Sequence, residues 1–179
     1  SFLTQSTRAP AFGLLVFLFL TSTCAIVATL LSIETIATAL LPLILLSALL
    51  LCFGFHNIRA LWFPVFYLYF AIPVWEPLTA VLQWVTTTIN GELLAMAGIP
   101  VAIDGNTIQI PVGKFEVAGG CSGIKYFITS LSLSTLYAHW YIRNVRQKIT
   151  LILFSMLLAL LTNWIRVYSI VLIGQYTRM

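Results

Sequence analysis

Charged residues are scarce in this sequence: Asp, Glu, Lys and Arg make up only 8% of its 179 residues, whereas 60% are hydrophobic. A typical soluble domain carries about 25% charged residues. So low a charged fraction excludes an ordinary soluble domain and predicts an integral membrane protein with the lipid bilayer as its surroundings. The nine basic residues are scattered rather than grouped in a block, which argues against nucleic acid as a partner.

Cysteine is scarce as well. The three cysteines, Cys24, Cys52 and Cys121, are odd in number and show no CxxC spacing, which argues against a disulfide scaffold and a zinc site. We therefore expect no metal and no cofactor. Cys24 and Cys52 lie inside apolar runs, where a buried thiol acts as a small apolar side chain. Cys121 differs because it lies in the partly polar segment FEVAGGCSGIKYF, residues 115–127.

Apolar runs define the predicted membrane spans, since a helix needs about 20 apolar residues to cross a bilayer. The first two runs contain no charge and are separated by Glu34, which marks a tight turn. The third run is short and contains Pro64 and Pro73, so it either crosses obliquely or continues into the following segment. The sequence thus predicts an all-α integral membrane protein with about five transmembrane helices, at about residues 9–33, 35–55, 60–75, 121–141 and 149–173.

The segment between the third and fourth spans has a different pattern. Apolar residues recur at helical spacing over residues 78–97, which predicts an amphipathic helix lying on the membrane surface. The polar residues between them are Gln83, Thr86, Thr87, Asn90 and Glu92. Asp104-Gly105 then lies between short β-prone runs and predicts a β-hairpin. Residues 77–118 would thus form an extracytoplasmic helix–hairpin insertion in a single transmembrane domain, residues 1–179.

The basic residues predict the orientation, because cytoplasmic loops of membrane proteins are enriched in Lys and Arg. Consistent alternation of the spans follows when the cytoplasm holds Arg8, Arg59, Arg143, Arg146 and Lys148. The acidic residues then all lie at or near the outer face: Glu34, Glu76, Glu92, Asp104 and Glu116. In this topology Cys121 stands at the outer mouth of the fourth span.

The last span contains a charge. Arg166 lies eight positions before Gly174, roughly 12 Å below the outer end of the helix. Asn163 is three positions earlier and shares its helix face. A charged side chain at the centre of a span costs about 2.5–3.5 kcal/mol. Two interpretations are open: Arg166 extends to the outer surface, or it faces the bundle interior at the level of Cys121.

Cys121 and Arg166 together suggest nucleophilic chemistry. The thiolate is the reactive form of cysteine, and a nearby cation or helix N-terminus stabilises it. The glycines of GGCSG leave the backbone lightly covered, so that N–H groups there, with Arg166, would hold an oxyanion; close helix packing is their alternative use. A nucleophilic cysteine normally needs a base, but His56 and His139 are both predicted at cytoplasmic ends.

FEVAGGCSGIKYF, the later NWIR (residues 163–166) and the preceding GIPVAIDGNTIQIPVGKFEV (residues 98–117) resemble the exosortase/archaeosortase family, most closely the bacterial exosortase A group. The resemblance implies a multi-pass, membrane-embedded cysteine protease or transpeptidase of the bacterial inner membrane, with its active site facing the periplasm. It implies Cys121 as the nucleophile and Arg166 as the transition-state stabiliser. The supporting or substrate-binding candidates are Ser122, Gly123, Lys125, Asn163 and Glu116.

The implied substrates are exported proteins with a C-terminal sorting signal: a short motif such as Pro-Glu-Pro, a transmembrane helix and a basic tail. Cleavage would proceed through a thioester acyl-enzyme. Lys125 stands where the family usually has arginine, which keeps the charge but loses bidentate geometry. The family's histidine follows the NxxR motif on a later span, so the resemblance also predicts a C-terminally truncated chain that is inactive as written.

An alternative from the residues alone is a non-enzymatic multispan protein, such as a transporter piece or an assembly factor. Arg166 would then bind a lipid headgroup or a partner helix. The predicted clustering of Cys121, Lys125 and Arg166 on one side of the membrane favours the enzyme, because transporters more often place polar groups at the midplane.

Overall fold

A computed structural model describes residues 8–177, with side chains from residue 11 onward. The side chain of Arg8, one of the predicted cytoplasmic residues, therefore lies outside the described part. The chain is mostly helical, with one small sheet. The described residues divide into two compact units, with the boundary between Val74 and Trp75.

The first unit is built on a helical hairpin. Helix α1 (Arg8–Leu30) and helix α2 (Glu34–Phe53) pack against each other and are joined by a three-residue turn. Ser32 adopts the left-handed conformation in that turn, with φ +58°. Glu34 opens α2, where a carboxylate interacts favourably with the positive end of the helix dipole.

The remainder of the first unit is irregular. Helix α3 (Ile58–Tyr67) has only 10 residues, about 15 Å, which is half the hydrocarbon thickness of a bilayer. A 3₁₀ turn over Leu68–Phe70 follows it, and the Tyr69 hydroxyl donates a hydrogen bond to the Ala39 carbonyl of α2 at 2.8 Å. The predicted third span, residues 60–75, is therefore not one continuous helix.

The second unit contains three helices and the sheet. Helices α5 and α6 pack as a hairpin joined by residues 142–144. In chain order the elements are α4 (Pro77–Met96), β1 (Ala102–Asp104), β2 (Thr107–Ile110), β3 (Gly113–Glu116), a 3₁₀ turn (Gly119–Cys121), α5 (Ile124–Tyr141) and α6 (Val145–Thr177).

The sheet has three antiparallel strands in the order β1-β2-β3, whereas the sequence predicted a two-stranded hairpin. The first turn is Gly105-Asn106, with Gly105 at φ +57° and Asp104 paired with Thr107. A glycine with positive φ at the first loop position suits the twist of a two-residue hairpin. Ile108 and Ile110 are buried on one face of β2.

The core of this unit lies where the sheet meets α4 and α6. Its buried members are Leu94, Ile108, Ile110, Val117, Val167 and Val171. Close packing depends on glycine at one point: a Cβ on Gly174 of α6 would lie 2.5 Å from the Phe115 ring of β3. The sheet can approach α6 this closely because Gly174 has no side chain.

Helix α4 forms where periodicity predicts it, but most of its predicted polar residues are buried. Thr86, Thr87 and Asn90 are 0% exposed, whereas Trp84 is 63% and Met96 79% exposed. A helix lying on the membrane surface would turn its polar face to water. Three of the five polar residues instead pack inside the unit together with Leu82 and Leu94, while Glu92 is exposed, so the buried face of α4 is of mixed character.

Among the described residues, three helices are long and apolar enough to cross a membrane. They are Ala11–Leu30 within α1, Glu34–Phe53 and Val145–Thr177. The last has 33 residues, about 50 Å, and contains the predicted fifth span together with part of the preceding basic segment. Helix α5 occupies the position of the predicted fourth span but is not among the three, so a count of five spans is not confirmed.

Candidate functional site around Cys121

Residues 117–123, the cysteine loop, connect β3 to α5. The loop closes on itself: the Cys121 N–H donates to the Ala118 carbonyl at 2.8 Å. Ser122 is fully buried, and its hydroxyl donates to the Gly119 carbonyl at 2.7 Å while accepting the Ile124 N–H at 3.3 Å. The Ser122 hydroxyl is thus engaged in holding the turn and is not directed at a substrate.

Three side chains from two helices also hold the loop by its carbonyl oxygens. The hydrogen bonds run from Gln83 to Val117 at 2.9 Å, from Thr86 to Ser122 at 3.1 Å, and from Asn163 to Cys121 at 2.9 Å. Gln83 and Thr86 belong to α4, and Asn163 belongs to α6. The loop is therefore fixed between two helices that are far apart in sequence.

Asn163 was predicted as a supporting or substrate-binding residue, and the structure places it against the loop. Its side chain is 0% exposed and its amide nitrogen bonds to the backbone of Cys121. This geometry gives Asn163 a supporting contact rather than a substrate-facing position. Gln83 and Thr86 were not among the predicted site residues, because the amphipathic pattern of α4 carries no sign of a contact with the cysteine loop.

Gly123 makes this contact possible. It has φ +94°, a conformation that residues with a Cβ rarely adopt. A Cβ at this position would lie 2.9 Å from the Asn163 amide nitrogen. Glycine is therefore required twice, for the backbone turn into α5 and for the approach of Asn163.

The other side of the loop is open. Cys121 is half-buried, while Gly120 beside it is exposed and has no atom within 4 Å of an added Cβ. Helix α5 begins three residues after Cys121, and the first N–H groups of a helix have no intrahelical acceptor. The Ile124 N–H is already bonded to the Ser122 hydroxyl, so Cys121 precedes the remaining N–H groups of this first turn.

Arg166 lies one helical turn beyond Asn163 on α6. It is exposed rather than enclosed by the bundle, and its guanidinium carbon lies 5.8 Å from the centroid of the Tyr126 ring, a cation–π contact. Tyr126 is in the first turn of α5, next to the exposed Lys125. Both predicted cations therefore lie at the end of the α5–α6 pair that carries Cys121.

Glu116, the remaining predicted site residue, lies on β3 rather than on the loop. It is exposed and pairs with Thr107 of β2 in the sheet register. The structure places it five residues before Cys121, at the strand end from which the loop departs. It shares none of the loop-holding hydrogen bonds described above.

An open groove of about 1050 Å³ runs between α5 and α6. We call it the α5–α6 groove. It extends from Lys125 and Tyr126 at the cysteine end to Trp140 and Tyr141 at the other. Large apolar side chains line it together with small residues that include Ser130, Ser134, Ser155, Ala159 and Thr162. Small and hydroxyl residues are typical of surfaces on which membrane helices pack.

The second unit contains one histidine within the described residues, and it lies far from Cys121. His139 lies in the last turn of α5, about 22 Å along the helix axis from Ile124. It is therefore at the far end of α5 from the thiol. His56 belongs to the first unit. Within residues 8–177 no group of three His, Cys, Asp or Glu side chains is placed to hold a metal ion.

The family model for transmembrane exosortases (Exosortase_EpsH) matches residues 2–179, almost the whole chain. No curated protein and no solved structure matches the chain significantly. The match includes the helices of both units, the cysteine loop and the NxxR segment of α6. The chain therefore belongs to the transmembrane exosortase family.

Proposed function

We propose that the protein is a membrane-embedded cysteine protease or transpeptidase that cleaves C-terminal sorting signals of exported proteins, with Cys121 as its nucleophile. The observation that carries this proposal is the hydrogen bond from Asn163 to the Cys121 carbonyl. It joins the cysteine loop to α6 one turn before Arg166, so that the thiol and the cation occupy one end of the unit. Within the family, the exosortase A group is the predicted subtype.

The proposed reaction begins with attack of the Cys121 thiolate on the scissile carbonyl. The carbonyl oxygen becomes an oxyanion, which Arg166 and N–H groups of the first turn of α5 would stabilise. Collapse breaks the C–N bond, releases an amine and leaves the acyl group as a thioester on Cys121. Water or a second nucleophile then takes the acyl group and restores the thiol.

Both halves of this reaction require a proton transfer. The thiol must lose a proton before attack, and the leaving amine must gain one. The family resemblance assigns this transfer to a histidine on a span that follows the NxxR motif. His139 is unsuited to it, because it lies at the opposite end of α5 from the cysteine loop.

The surroundings of Cys121 suit the proposed substrates. Lys125 and Arg166 are exposed cations and would attract the carboxylate of a Pro-Glu-Pro type motif. The α5–α6 groove begins at Lys125 and is largely apolar, as the transmembrane helix of a sorting signal would require. By the positive-inside rule, we place this end of the unit at the periplasmic face of a bacterial inner membrane.

The second candidate function is non-enzymatic. The exposed side chain of Arg166 supports it, since a guanidinium beside an aromatic ring near the end of a span also suits a lipid phosphate. With this second function, Arg166 would bind a lipid headgroup and Cys121 would have no chemical role. The two functions differ in what the loss of Arg166 would change.

Replacing Arg166 with alanine is expected to slow sorting-signal cleavage by about 10²–10³-fold, the usual loss when one oxyanion donor is removed. Arg166→Lys is expected to recover little, because lysine lacks the planar fork of donors. The full-length protein would be expressed with an exported reporter carrying the signal, and processing would be followed over time by the size of the reporter.

Arg146→Ala is the matched control, since Arg146 lies on the same helix near its opposite end. It is expected to process the reporter at the parent rate. Cleavage by Arg166→Ala at the parent rate, in protein that is normally inserted, would contradict the catalytic assignment and favour a headgroup contact.

A further inference from the structure

The cysteine loop is held at two consecutive carbonyls from two different helices. Asn163 of α6 bonds to the carbonyl of Cys121, and Thr86 of α4 bonds to that of Ser122. Both donor side chains are 0% exposed, so bulk water does not compete for these carbonyls. Fixing two successive carbonyls fixes the two peptide planes on either side of Ser122, and the first of these planes includes the Cα of Cys121, which carries the thiol side chain.

Thr86 is itself held in place along α4. Asn90, one turn later and also 0% exposed, donates a hydrogen bond to the Thr86 carbonyl at 2.8 Å. One turn earlier, Gln83 bonds to the carbonyl of Val117, where the loop begins. The polar face of α4 therefore contacts the loop at both ends, which gives a physical reason for its burial.

We propose that Thr86 is a positioning residue for Cys121: through the Ser122 carbonyl it sets the place of the thiol relative to the start of α5 and to Arg166. The proposal rests on the proposed role of Cys121 as nucleophile. Thr86 acts through the loop backbone and does not contact the substrate. Thr86 and Asn163, which we call the clamp, hold the loop from two different helices. The side of the loop at Gly120 stays exposed.

The neighbouring residue supplies a matched control. Thr87 is also 0% exposed, but among the described residues its hydroxyl has no hydrogen-bond partner. Valine has nearly the shape of threonine without the hydroxyl. Thr86→Val thus removes the bond to the loop, whereas Thr87→Val makes the same chemical change at an equally buried site without removing a bond. Thr86→Ser keeps the hydroxyl and tests for rescue.

The first measurement is the rate constant for alkylation of Cys121 by a small maleimide in the purified full-length protein. Cys24 and Cys52 are exposed, so serine replaces both in every variant. Thr86→Val is expected to raise the rate constant at least about three-fold, because a released loop exposes its half-buried thiol for part of the time. Thr87→Val and Thr86→Ser are expected to stay within about two-fold of the parent.

The second measurement is cleavage of a sorting-signal substrate. Thr86→Val is expected to lower kcat about ten-fold or more with little change in KM, because a misplaced thiol affects the reaction more than binding. Equal effects of Thr86→Val and Thr87→Val on both measurements would overturn the proposal. If the valine variants do not fold, Thr86→Ala and Thr87→Ala repeat the comparison.

The two readouts separate this proposal from the proposed function. The alkylation rate constant reports how accessible the Cys121 thiol is, whether or not the protein cleaves a substrate. A faster alkylation in Thr86→Val, combined with cleavage that does not depend on Cys121, would support the clamp and refute the nucleophile. Unchanged alkylation with Cys121-dependent cleavage would refute the clamp alone.

Discussion

Replacing Cys121 with alanine is expected to abolish sorting-signal cleavage, with a loss in rate of at least about 10³-fold. The thiol is the group that would form the covalent intermediate, and alanine removes it without a charge change or added bulk. Processing of an exported reporter by the full-length protein in cells, quantified against the level of inserted protein, measures the effect.

Two other cysteines provide controls for this experiment. Cys24 and Cys52 lie on α1 and α2 in the first unit and are exposed. Cys24→Ala and Cys52→Ala are expected to cleave the reporter at the parent rate. Parent-like cleavage by Cys121→Ala, or an equal loss in either control, would contradict the assignment of the nucleophile.

Gly123→Ala is expected to destabilise the protein and to inactivate it. A side chain in the left-handed conformation costs about 1–2 kcal/mol, and φ at this position is +94°. The added Cβ would also lie 2.9 Å from the Asn163 amide nitrogen and displace it. The Cys121 carbonyl would then lose its donor, which costs about 1–3 kcal/mol for a buried group. The sum, about 2–5 kcal/mol, is a large part of a typical stability margin.

The measurement is thermal unfolding of purified protein, with Gly120→Ala as the control. Gly120 is three residues earlier in the same loop but has no positive φ and has open space around it. Gly120→Ala is expected to change the free energy of unfolding by less than about 0.5 kcal/mol. Equal melting temperatures for the two variants would show that Gly123 is not under the constraint described here.

Periodicity in the sequence was enough to predict helix α4, but not the environment of its two faces. The apolar residues of 78–97 recur at helical spacing, and α4 forms there. The spacing identifies two faces without saying which one meets solvent. In a membrane protein the apolar face can meet lipid while the polar face packs inward. In α4 part of the polar face packs inward, with Thr86 and Asn90 buried beside Leu82 and Leu94, while Trp84 is exposed.

The third strand was missed for a local reason. Pro111 interrupts the β-prone pattern between β2 and β3, and β3 itself has only the four residues Gly113–Glu116. Its strand character comes from pairing with β2, where Ile108 lies opposite Phe115. Strand β2, by contrast, could be predicted because Ile108 and Ile110 alternate with polar residues. In the structure both isoleucines are buried on one face of the strand.

The candidate site was predictable only in part. The CSG and NxxR segments indicated Cys121, Asn163 and Arg166, and Asn163 is indeed bonded to Cys121. Gln83 and Thr86 bond to backbone carbonyls 34 and 36 residues away, respectively. A backbone carbonyl is present at every residue and leaves no signature in the sequence. Contacts of this kind therefore emerge only from the fold.

The covalent role of Cys121 can be measured from the mass of the protein during turnover. Full-length protein would be mixed with excess sorting-signal substrate, quenched in acid within one turnover, and examined by intact-mass and peptide mass spectrometry. We expect an adduct on Cys121 equal in mass to the acyl product, released by hydroxylamine and absent from Cys121→Ala. If the parent protein cleaves the substrate without forming that adduct, and Cys121→Ala is equally active, Cys121 is not the nucleophile.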